Sequence, residues 1–167
     1  ATVINEVLHD EATGWVGGFV ELYGEAGKTL TGCVLEGKAN DGTTEVDLFA
    51  IPLDGSSLGP LGYFVLAHDD LVPGTGPGNI DDRLTIVDPA VPYATIGLGL
   101  RCDGVVVDAV CFRGTALPDC GATAAEDTGP EGVAIGRGFH VDTDNDTAEF
   151  LPQVEPSPWA RNHTEVR

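Results

Sequence analysis

A chain of 167 residues, 42% apolar and 21% charged, is globular and long enough to bury a core. Its formal net charge of −19 repels phosphate backbones and anionic lipid, which argues against a nucleic-acid partner. No apolar run approaches the roughly 18 residues of a membrane span, so no membrane insertion is expected.

Turn signals recur at short intervals, with 23 glycines and 11 prolines in the chain. Strands are expected, in order, over residues 2–8, 18–23, 28–35, 44–51, 62–68, 83–87, 93–102, 105–112, 132–140 and 147–151. Between them lie Asn40-Asp41-Gly42, the stretches 52–60 and 73–79, Asp103-Gly104 and the stretch 142–146. This spacing predicts an all-β sandwich of nine or ten short strands. Residues 122–127 suit a brief helix. Residues 1–152 form one domain, and 153–167 read as a Pro-rich C-terminal tail. The start Ala1-Thr2-Val3, without methionine, reads as the product of signal-peptide cleavage and predicts a secreted or cell-surface protein.

The sharpest local expectation is a hairpin. Asp103-Gly104 is a two-residue turn signal that sets Cys102 opposite Val105. Counting outward, Leu100 faces Val107, Leu98 faces Ala109 and Ile96 faces Cys111. All eight side chains are apolar and share one face, while Gly97, Gly99, Arg101 and Asp108 take the other. In this register Cys102 and Cys111 lie roughly 20 Å apart along the hairpin, too far to bridge. The preferred pairing is Cys111–Cys120, closing a short loop, with Cys33–Cys102 joining two strands across the core. Cys33–Cys111 with Cys102–Cys120 also remains open, and four reduced cysteines are the alternative in a reducing compartment.

Several strings resemble a known family. Asn5-Glu6-Val7-Leu8, Gly18-Phe19-Val20-Glu21-Leu22-Tyr23 and Leu30-Thr31-Gly32-Cys33-Val34-Leu35 resemble the opening of bacterial lamin tail domains. Leu61-Gly62-Tyr63-Phe64-Val65-Leu66-Ala67 is similar to the next strand of that family, and Val106-Val107-Asp108-Ala109-Val110 to a later hairpin arm. Ile135-Gly136-Arg137-Gly138, residues 142–150 and Pro156-Ser157-Pro158 are similar to its closing segments. The resemblance implies an immunoglobulin-like sandwich, an exported protein, and a role in binding or assembly. Cys33 stands where that family usually has Trp, and residues 69–96 are longer than the usual connection.

Other motifs were weighed for chemistry. Gly55-Ser56-Ser57-Leu58-Gly59 has the spacing of a hydrolase nucleophile elbow, but that turn needs a helix after the serine. Here Pro60 and a strand follow, so it reads as a loop. Asp142, Asp144, Asp146 and Glu149 form the densest carboxylate constellation. Alternating acids in a turn can converge on Ca²⁺, although Thr147 and Gln153 break the EF-hand pattern. The plain reading is a solvated turn. Asp81 and Asp82 are a second candidate. His9, His68, His140 and His163 have no zinc spacing. Asn145 and Asn162 begin glycosylation sequons.

No catalytic residue set and no other cofactor are expected. The function expected is that of a non-enzymatic extracellular structural protein whose partners are other copies of itself or another extracellular protein. Its sheet edges offer strand addition, and Trp159 in the tail is the self-association anchor. The alternative is a ligand- or Ca²⁺-binding module that serves a secreted enzyme.

Overall fold

The computed structural model describes residues 1–10, 14–40, 45–68, 81–85, 95–112, 134–138, 150–153 and 157–158. Among them, strands are the only regular element: β1 (Val3–Asp10), β2 (Gly14–Tyr23), β3 (Cys33–Asn40), β4 (Glu45–Pro52), β5 (Tyr63–Ala67), β6 (Asp82–Arg83), β7 (Thr95–Cys102), β8 (Val105–Phe112), β9 (Ala134–Arg137) and β10 (Phe150–Gln153). They form two sheets, ordered β10-β9-β1-β2-β5-β6 and β4-β3-β7-β8. The all-β sandwich read from the turn spacing is therefore what the chain forms. The stretch 122–127 lies outside the described residues.

Alternation sets the core. Ile4, Val7, Val20, Leu22, Phe64 and Leu66 face inward from the larger sheet, and Leu35, Leu98, Leu100 and Val110 meet them from the smaller one. The expected strand over 28–35 begins later, at Cys33. Gly32, at φ +75°, ends a turn there in which the Cys33 amide donates to the Leu30 carbonyl. Leu30 is fully buried all the same, packed from a loop. That loop is laced to the 53–62 loop by the Leu30 amide on the Ser56 carbonyl and the Leu58 amide on the Lys28 carbonyl. The Gly55–Gly59 motif sits in this lacing and leads into β5, so it is a loop as read.

Cys33 and Cys102 are register partners on β3 and β7 and are disulfide-bonded, with Cα atoms 4.0 Å apart. The bridge thus joins neighbouring strands of one sheet rather than crossing the core. Cys111 is also disulfide-bonded; Cys120, its expected partner, lies outside the described residues.

The turn at Asp103-Gly104 forms as expected, with φ +51° and +80°, and Cys102 pairs with Val105. The register beyond it differs. A bulge takes up Val107, so that Leu100 pairs with Asp108 and Leu98 with Val110. Val107 is left 39% exposed and Asp108 only 5%. The reason lies on the other sheet. Asp108 accepts the Ile4 amide at 2.6 Å and contacts Arg137 Nη2 through both oxygens, at 2.9 and 3.0 Å. Arg137 is fully buried, donates through Nε to the Ile4 carbonyl at 2.9 Å, and lies 4.6 Å from the centre of the Phe150 ring. Paired β1–β9 residues are Glu6–Gly136 and Val7–Ile135. At Ile4 the two side chains take over where that ladder stops, satisfying backbone groups that would otherwise be buried unpaired. This charged network outweighs the modest gain from burying Val107.

Candidate functional site

The residues singled out for metal binding, Asp142, Asp144, Asp146 and Glu149, lie outside the described residues, as does Trp159. Asp81 directly precedes β6 and Asp82 is its first residue. Asp81 accepts the Val65 amide and Asp82 the Arg83 amide, each at 2.8 Å, so both cap backbone. Among the described residues no group of three His, Cys, Asp or Glu is arranged to hold a metal. His9 is fully buried on β1, and the His68 carbonyl accepts Arg83 Nη1 at 3.0 Å.

Two faces of the sandwich carry unusual chemistry. The first is the outward face of the four-stranded sheet. Because Leu35, Gly37 and Ala39 point inward on β3, Glu36 and Lys38 point outward. Their register partners on β7 are Gly99 and Gly97, and on β4 they are Ala50 and Asp47. The glycines leave a floor without side chains, and a Cβ added at Gly99 would meet nothing within 4 Å. Arg101 closes one end, with Nε 3.5 Å from Glu36 and Nη1 donating to the Gly104 carbonyl at 3.1 Å. Beside this strip a groove of about 510 Å³ runs over β3 and β4, lined by Glu36, Gly37, Lys38, Asp47, Ala50 and Arg101 among others but by neither Gly97 nor Gly99. Its two acids and two cations balance, in a chain whose net charge is −19.

The second is the outward face of the six-stranded sheet. Phe19, Val65 and Ala67 stand there and are buried, with Leu8 packed against them. β5 is buried on both faces. Glu6 and Glu21, register partners on β1 and β2, are fully buried in the same face. Asn5 donates to Glu21 Oε1 at 2.8 Å. Glu6 accepts the Ser157 amide at 2.9 Å and its hydroxyl at 3.3 Å, which ties the C-terminal segment to β1. Burial pushes the Glu6 carboxyl up to about 7, against the opposing pull of the two Ser157 donors.

Sequence reasoning passed over both carboxylates, although a signal was present. β5 reads Tyr63-Phe64-Val65-Leu66-Ala67 without a polar outward position, the signature of a covered face, and Glu21 pairs with Val65 beside it, with Glu6 one strand further on.

The edges of both sheets are guarded. β4 and β8 each carry a bulge, at Leu48 and Val107. β6 is two residues long, and β10 contains Pro152. Bulges, brevity and proline all disfavour the strand addition expected from sequence.

Compared with known protein families, the chain matches none. Curated proteins likewise give no match to its sequence.

Proposed function

We propose that the chain is a non-enzymatic, extracellular structural protein of the lamin tail domain type that associates with copies of itself. The contact is the outward face of the four-stranded sheet. The observation that carries this reading is the charge balance of that face, Glu36 and Asp47 against Lys38 and Arg101 beside Gly97 and Gly99, in a chain of net charge −19. Copies of so acidic a chain repel one another, and a locally neutral face of small residues is where they can approach. The guarded edges favour a face contact over strand addition. The Cys33–Cys102 bridge suits an oxidising, extracellular setting.

Sedimentation at several salt concentrations tests this. Association should strengthen from low salt to about 0.15 M, where charges are screened beyond about 8 Å. Gly99→Glu, placed where the fold has open space, should abolish association with little change in melting temperature. A parent that stays monomeric at every salt concentration overturns the reading. The alternative, a ligand-binding module serving a secreted enzyme, is favoured by the size of the groove, which suits a small molecule. A monomer whose groove residues shift in NMR spectra when small ligands are added would support it.

A further inference from the structure

The contact between Glu6 and Ser157 goes beyond the association face, because it lies on the other sheet and involves the C-terminal segment. Glu6 is fully buried, although it sits on the outward face of β1. Its register neighbours are Glu21 on β2 and Gly136 on β9, neither of them cationic. The segment over it contributes Ser157, whose amide and hydroxyl donate to the two carboxyl oxygens. A carboxylate held in such a place has two neutral donors but no counter-ion, with a second carboxyl from Glu21 directly across the strand pair.

We propose that Glu6 and Ser157 form a proton-operated latch, which holds Ser157 and Pro158 against the six-stranded sheet when Glu6 is protonated and loosens when it ionises. The sign follows from the two states. With the segment in place the carboxyl titrates near 7, and in water near 4.5. Closure is fully favoured below about 4.5, weakens as pH rises toward 7, and stays weak above it. The difference corresponds to a loss of up to about 300-fold in the closing equilibrium. Glu21, the register partner of Glu6 across the strand pair, is held by Asn5.

Hydrogen exchange read by mass spectrometry on peptides covering residues 150–158 tests this between pH 4.5 and 7.5, after correction for intrinsic rates. In the parent, protection should fall with rising pH by one to two orders of magnitude and level off near 7, while peptides from β3 and β7 show no such course. In Glu6→Gln the fall should vanish. Ser157→Ala should lower protection at every pH. If the parent is flat, or if Glu6→Gln follows the parent, the latch is wrong. Should Glu6→Gln fail to fold, a carbon-detected NMR titration of the parent decides the matter. A Glu6 midpoint near 7 supports the latch, and one near 4.5 overturns it.

Discussion

Replacing Asp108 with Ala removes a carboxylate that Arg137 contacts through both oxygens, from a guanidinium that is fully buried against the Ile4 carbonyl and the Phe150 ring. It also strips the Ile4 amide of its acceptor. Breaking a buried pair from one side typically costs about 3–5 kcal/mol, because a buried charge loses part of its compensation. For a chain of this length each kcal/mol moves the melting temperature by about 2–4 °C, so a drop on the order of 10 °C is expected. The comparison is Glu36→Ala. Its pair with Arg101 is longer, at 3.5 Å, and the two side chains are 27% and 33% exposed. Screening by solvent limits that pair to about 0–1 kcal/mol. Urea unfolding followed by circular dichroism, with the disulfides intact, measures both. The double change Asp108→Leu with Arg137→Met removes both charges and should recover most of the loss. If Asp108→Ala lies within about 1 kcal/mol of the parent, like Glu36→Ala, the buried network does not hold the sheets together as argued.

Two further substitutions probe the four-stranded sheet. Changing Cys33 and Cys102 to Ser opens a loop with a sequence separation of 69 and should cost about 2–4 kcal/mol, read as an earlier urea midpoint. In Gly37→Ala the new methyl would meet the Phe49 ring. Overpacking of about 1–3 kcal/mol is expected, and Gly37→Ala paired with Phe49→Leu should relieve it; melting curves that rank the two variants the other way would contradict the packing.

The order and number of strands were legible because turn residues punctuate the chain and apolar residues alternate. Val105–Phe112 was bounded correctly for this reason, flanked as it is by Asp103-Gly104. What alternation could not show is where it breaks. One extra residue at Val107 turns Asp108 inward, and nothing within the hairpin predicts it. The cause is Arg137, 29 residues away, together with the Ile4 amide, 104 residues away. Arg137 itself was quoted for its resemblance to a family motif, although an arginine in a strand as apolar as Ala134-Ile135-Gly136 signalled a buried partner. Glu6 and Glu21 were hidden in the same way. They were quoted only within strings that resemble a family, and their outward position does not mean exposure, because Ser157 lies over Glu6. The outward face of β7 went unnoticed as part of a site because Gly97 and Gly99 were read only as the face opposite Leu98 and Leu100.

The strand order β10-β9-β1 has a mechanical meaning. β9 is antiparallel to both of its neighbours, so β1 and β10 run in the same direction. Tension applied through the two chain ends would pull the start of β1 and the finish of β10 toward opposite poles of the sandwich. The ladder bonds along β9 would then be loaded together in shear rather than opened one by one, and the Asp108–Arg137 grip on Ile4 would share that load. A thread of such units, strained from both ends, would resist until several bonds fail at once. Force spectroscopy on tandem copies should record a high, sharp rupture in the parent and a lower one in Asp108→Ala.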